Sequence, residues 1–120
     1  MGGYDINLDE KYGPLTLIDL AHEAAQHEPW FNQTLTRVND AVVRLGVVEG
    51  EFHWHKHDVE DEFFLVLAGE LVIEVEGAET VRLQPLQGYA VPRGVMHKTS
   101  APTRTVIVMV EPGGVIPTGD

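Results

Sequence analysis

The sequence contains no cysteine. That excludes disulfides, thiolate nucleophiles and metal centres built on sulfur, so any ion the chain holds must sit on histidine and carboxylate. No stretch approaches 18 consecutive apolar residues, and a membrane-spanning helix is not expected. Positive charge is scarce: eight Lys plus Arg stand against nineteen Asp plus Glu, a net charge of −11. Such a field repels phosphate backbones and anionic lipid surfaces, so neither nucleic acid nor membrane is an expected partner. The N-terminus, Met1-Gly2-Gly3-Tyr4-Asp5, has no basic segment followed by an apolar run and does not read as a signal peptide, which makes a cytoplasmic protein the expectation.

What is present is an ordinary globular composition. With 120 residues, 43% hydrophobic and 22% charged, the chain suits one compact domain with a real core. Residues 1–33 read as an arm and a helix, 34–111 as the body of the domain, and 112–120 as a tail. Leu17, Leu20, Ala21, Ala24 and Ala25 recur at helical spacing, which predicts a short helix over 17–27 with Thr16 as N-cap and Pro29 as the stop. His22 and His27, five apart, fall on different faces of it and do not form a metal pair. Trp30 and Phe31, directly after Pro29, read as aromatic anchors against the core.

Beyond Gln33 the period changes to that of strands. Runs rich in Val, Ile, Leu, Phe and Thr recur at 34–38, 41–48, 51–57, 62–67, 71–76, 80–83, 89–91, 97–100 and 105–110, separated by short turns such as Ala68-Gly69-Glu70 and Pro92-Arg93-Gly94. This is the pattern of an all-β sandwich or barrel. Val106–Val110 is apolar on both faces, so its outer face must be covered by the helix or by a partner subunit. A homodimer is therefore expected.

Four of the six histidines, His53, His55, His57 and His97, fall in this body. On a strand His53, His55 and His57 share one face. At roughly 3.3 Å per residue the outer two lie about 13 Å apart, while neighbours at about 7 Å can converge, so two of the three at most are ligands. Glu62 opens the strand after the turn that follows His57, and His97 opens another after Pro92-Arg93-Gly94. Imidazoles with one carboxylate make a set suited to Fe, Mn, Ni, Zn or Cu as a divalent ion, and four protein ligands on an octahedral ion leave two positions open.

The same residues resemble the two motifs of the cupin superfamily. Gly50, His55, His57, Glu62 and Gly69 follow the first motif, with four rather than five residues after Gly50; Gly88, Pro92, Gly94 and His97 follow the second, with three rather than five before Pro92 and with Ala101 where asparagine is usual. The resemblance implies a jelly-roll β-barrel with a short N-terminal helix, and a metal held by His55, His57, Glu62 and His97. The interval to Glu62 selects His55 and His57 over His53, which is left as a pocket-wall residue or a possible acid–base group.

Two functions fit. One is a metal-dependent enzyme acting on a small molecule, of the dioxygenase, isomerase or lyase class. The other is a non-catalytic module or sensor that uses the ion to hold a small ligand. The net charge of −11 favours a neutral or weakly acidic compound, with the ion and nearby cations such as Arg93 supplying local positive potential.

Overall fold

The computed structural model describes residues 3–119; Met1 and Gly2 of the arm and Asp120 of the tail lie outside them. Eight strands, β1 (Asp5–Asn7), β2 (Phe31–Val38), β3 (Ala41–Glu51), β4 (Glu62–Ala68), β5 (Leu71–Val75), β6 (Val81–Leu83), β7 (Gly88–Val91) and β8 (His97–Pro112), accompany one helix, α1 (Leu20–Ala25). The path β1-β2-β3-β8-β4-β7 is closed over by β5, which pairs with β6 and with the first part of β8. Because β8 is long, its first part, His97–Ser100, pairs with β5, while Ser100, Ala101 and Thr105–Pro112 pair with β3. One strand thus ties both walls of the jelly roll together. The runs expected separately at 97–100 and 105–110 are a single strand.

Alternation along these strands sorts the side chains into two layers. Val48, Phe64, Val66, Leu71, Ile73, Ile107 and Met109 point into the barrel and form its core. Leu35, Leu45, Val47, Val106 and Val108 point the other way and form a second buried cluster with Phe31 and Ala24 of α1. Tyr12, Ile18 and Leu20 pack on it. The outward-facing Val106 and Val108 of β8 are therefore covered by the helix and the arm. What stays partly open is a row across three strands, Val43, Val110 and Phe63, of which Phe63 is 37% and Val110 36% exposed.

The arm is fixed by hydrogen bonds. β1 pairs parallel to β2, and the backbone N–H groups of Lys11 and Tyr12 donate to Thr34 and Leu35. Glu23, buried on α1, receives Lys11 Nζ at 2.7 Å, His27 Nε2 at 3.2 Å and the Tyr12 hydroxyl. Burial opposes the charge on Glu23, but these partners outweigh it and hold the carboxyl below its ordinary pKa.

The helix is shorter than its apolar period implies. Asp19, not Thr16, is its N-cap, accepting from His22 N, and Leu17 stays 90% exposed. The Thr16 hydroxyl instead donates to Pro14 O. His22 and His27 do not meet: His22 Nε2 contacts Gln26, while His27 stacks on Phe31 with ring centroids 3.6 Å apart.

Candidate metal centre

The site forms where β3 leaves β8. Pairing of the two strands ends at Glu51 opposite Ser100, the N–H of Phe52 still donates to Thr99 O, and the chain then peels away to return at His55. There the N–H of His55 donates to His97 O and the N–H of His97 to His55 O, both at 2.9 Å. This single bridge sets the two imidazoles side by side, with ring centroids 4.3 Å apart. His57 follows two residues on, and its backbone carbonyl receives Gly94 N at 2.8 Å, pinning the Pro92-Arg93-Gly94 turn that delivers His97. Gly94 has φ +76, the left-handed conformation this turn needs. Glu62 opens β4 on the face that Phe64 and Val66 also use, so alternation aims its carboxyl into the barrel.

Together these elements bring His55, His57, Glu62 and His97 into one cluster, with one ligand atom from each lying within 4.8 Å of the other three. All four are buried, at 8%, 2%, 5% and 1% exposure. Glu62 Oε1 lies 3.4 Å from His57 Nε2 and 3.7 Å from His97 Nε2.

The donor chemistry fits a cation. His55 Nδ1–H donates to His53 O at 3.0 Å and His97 Nδ1–H to Val95 O at 2.9 Å. Each bond fixes the tautomer whose Nε2 lone pair is free, the arrangement metal-ligating histidines favour. His97 Nε2 and Glu62 Oε1 are buried with no hydrogen-bond partner among the described residues, an expense that an ion between them would remove. Burial pulls His55 down to about 4, with the neighbouring His97 and His57 adding to it, so the imidazole is neutral at physiological pH. Burial would raise Glu62, but the adjacent imidazoles of His57 and His97 and the carboxyl of Glu111 outweigh it, leaving an ionised carboxylate.

His53 stands apart. The segment expected as a strand over 51–57 leaves the sheet after Glu51, so the three histidines do not share a face. His53 is exposed, and its Nε2–H donates to Thr118 O at 2.7 Å. This holds the C-terminal segment against the mouth of the barrel, where Gly119 lies so close to His55 that an added Cβ would meet His55 Cβ at 2.6 Å. Arg93 is exposed and lines a surface groove that it shares with Asp61, Phe63, Glu62 and Glu111, and its backbone N–H donates to Asp61 Oδ1 at 2.9 Å.

The cation inside the barrel is Arg44. At 2% exposure it donates from Nη1 to Glu111 Oε1 at 2.7 Å and to Val115 O at 3.1 Å, and from Nε to Thr34 Oγ1 at 3.1 Å. Burial and the charge of Glu62 push Glu111 up to about 10, against the opposing pull of Arg44, so this carboxyl holds a proton beside Glu62 at neutral pH. Sequence reasoning passed over Arg44, Glu111 and Asn32. One available signal was a charged residue inside the apolar strand run Val42-Val43-Arg44-Leu45, in phase with the inward-facing Val42 and Val48.

Beside the cluster is a small cavity of about 30 Å³, bounded by His55, Glu62, Trp30, Phe52, Asn32 and Tyr4 among others. Trp30 therefore packs on the core and walls the cavity, while Phe31, 3% exposed, is purely an anchor. Tyr4 meets Trp30 and Phe52 edge-on, at centroid distances of 5.4 and 5.7 Å. Its phenol is raised above its ordinary pKa, chiefly by burial.

A jelly roll carrying three histidines and a glutamate at its mouth defines a class of barrel proteins, and the match extends to sequence. The family model for the cupin domain matches residues 41–112, and the chain belongs to that family. An uncharacterized protein of Bacillus subtilis strain 168, YdbB, is 39% identical over 95 residues, covering 79% of this chain and 82% of its own length. The crystal structure of a cupin-2 domain containing protein from Shewanella frigidimarina is similar with a TM-score of 0.75 and 33% identity, over 80% of this chain and 94% of that one. KdgF from a Halomonas species matches with a TM-score of 0.59 and 26% identity, over 68% and 76% of the two chains.

Proposed function

We propose that the chain is a metal-dependent small-molecule enzyme, holding one first-row divalent ion on His55 Nε2, His57, Glu62 and His97 Nε2. The observation that carries this reading is the pairing of buried, unpartnered Glu62 Oε1 and His97 Nε2 with imidazoles whose Nδ1–H groups are already committed to backbone carbonyls. When bound, a divalent ion at such a site supplies Lewis acidity toward an oxygen of the substrate, and iron adds the capacity to use O2. The remaining work falls to the chain. The carbonyls of His53 and Val95 orient the ligand imidazoles, and Arg44 holds Glu111 in place by donating to its Oε1. Trp30, Phe52 and Phe64 exclude water from the cavity side. Four protein ligands leave positions for a substrate oxygen, which supports the isomerase, lyase and dioxygenase readings equally and favours them over a structural ion.

Elemental analysis of protein purified without chelator or added metal is the first test, followed by a turnover screen with the metal found. One ion per chain with turnover of a small oxygenated compound is expected. A loaded protein that binds such compounds without converting them would instead identify a binding module or sensor. A homodimer forms part of the same proposal, with the row Val43, Val110 and Phe63 as the apolar surface left for a second copy.

A further inference from the structure

We propose that Tyr4 and Asn32 form a hydroxyl-binding pair inside the cavity, and that the ligand of the metal site is a compact hydroxy-carbonyl compound anchored there by its hydroxyl. The second attachment, an oxygen on the ion, rests on the metal reading above.

Asn32 is 1% exposed and lies on the barrel-facing side of β2, paired opposite Gly46. Its Nδ2 donates to the Tyr4 hydroxyl at 3.4 Å, while its Oδ1 is buried with no hydrogen-bond partner among the described residues. A buried carboxamide oxygen without a donor is costly to keep, and both residues line the cavity that also touches His55 and Glu62. The Tyr4 oxygen accepts from Asn32, so its own proton is available to a guest. The pair therefore offers one acceptor, Asn32 Oδ1, and one donor, Tyr4 O–H, side by side. That is the complement of an alcohol or enol, which donates one hydrogen bond and accepts another. Turning the amide over changes nothing in this argument: Tyr4 would then donate to Asn32 Oδ1, leaving the Nδ2 donor and the phenol lone pair for the same guest.

The rest of the lining narrows the class. No lysine or arginine borders the cavity, which disfavours phosphorylated or multiply anionic ligands. Trp30, Phe52 and Phe64 offer faces for carbon, and besides the pair and the ligand cluster only Thr99 and the Trp30 indole carry polar groups, too few for a polyol. The volume of about 30 Å³ takes roughly two water molecules, so it admits the hydroxyl-bearing end of a compact guest whose carbonyl lies toward the ion, not a sugar ring.

The test uses zinc-loaded full chain and two probes that differ by one hydroxyl, glycolate and acetate. The Asn32 carboxamide signals, assigned by NMR through their contacts with the Tyr4 ring, report the guest directly. Glycolate is expected to shift them and to bind about tenfold more tightly than acetate. Tyr4→Phe keeps the ring packing on Trp30 and Phe52 and should erase most of that preference, leaving acetate affinity and zinc content unchanged; Asn32→Ala should do the same. An undiminished preference in Tyr4→Phe would mean that glycolate's extra affinity comes from chelation at the metal alone, and would overturn the pair. Should wild type retain no zinc, the metal reading fails separately. The pair is then tested on metal-free protein with ethylene glycol, where a carboxamide shift lost in Tyr4→Phe supports it and no shift overturns it.

Discussion

Replacing Arg44 by methionine keeps the aliphatic stem in the barrel and removes the guanidinium. The structure indicates what is lost: the donors to Glu111 Oε1, Val115 O and Thr34 Oγ1. At 2% exposure for Arg44 and Glu111 alike, water cannot take over these bonds. Each buried acceptor left without its donor costs about 1–3 kcal/mol, so the three together cost about 4 kcal/mol, a large share of the roughly 5–15 kcal/mol that stabilises a domain of this size. With a urea slope of about 2 kcal/mol per molar, the unfolding midpoint of Arg44→Met should fall by about 2 M. Removing both partners in Arg44→Met/Glu111→Leu should recover part of the loss, because no buried carboxyl is then left without its donor while Thr34 Oγ1 and Val115 O stay unpaired. The assay is urea denaturation of metal-free protein at pH 7, followed by fluorescence from Trp30 and Trp54. A single variant within about 1 kcal/mol of wild type, or a double variant no better than the single, would refute the claim that Arg44 is held by a desolvated pair.

Other outcomes follow from the same geometry. The folded-state pKa of His55, about 4, lies below the unfolded value near 6.5, so the unfolded chain binds the proton first and stability of the metal-free protein should rise with pH between about 4 and 6.5; the contribution is complete above 6.5, and His55→Gln should flatten that part of a pH series of denaturation curves. Glu23 is the opposite case in origin: its lowered carboxyl contributes stability above its unfolded pKa that is lost as pH falls through the folded one, so Glu23→Gln should cost more at pH 7 than at pH 3. His53→Ala should keep its metal while freeing the C-terminal segment from its bond to Thr118 O, read as faster amide exchange over 115–119; metal loss equal to that of His55→Ala would reject this. Light scattering should return twice the 13.3 kDa chain mass, and 13.3 kDa at micromolar concentration would dismiss the dimer.

The strands and the four clustered side chains were legible because both depend on short intervals. Period-2 alternation places Glu62 with Phe64 and Val66, the intervals among His55, His57 and Glu62 match one known motif, and the interval from Pro92 and Gly94 to His97 matches a second. Misreadings arose where tertiary hydrogen bonding overrides local pattern. His53 belongs by alternation with His55 and His57, but the backbone leaves the sheet after Glu51 and re-engages only at His55, so His53 turns outward to Thr118. Leu17 fits the helical period, yet capping by Asp19 starts the helix at Leu20. Least legible were the polar groups inside the barrel. Arg44, Glu111, Asn32 and Tyr4 come from four separate segments, and only cross-strand register sets Arg44 opposite Thr34 and Asn32 opposite Gly46. The short turn between Val38 and Ala41 sets a register, but the bulge between Thr34 and Thr36 shifts it by one residue, and no interval in the sequence marks that bulge.

The central claim, that His55, His57, Glu62 and His97 hold one divalent ion, is tested most directly by the metal content of purified protein beside Glu62→Gln and His97→Ala. Glu62→Gln preserves shape and removes the one charge in the ligand set, and His97→Ala removes a buried Nε2 that has no hydrogen-bond partner among the described residues. Wild type should retain close to one first-row ion per chain through dialysis, and each variant should retain less than a tenth of that. Equal retention in wild type and both variants would place any ion elsewhere, and no retention in wild type would contradict the claim outright.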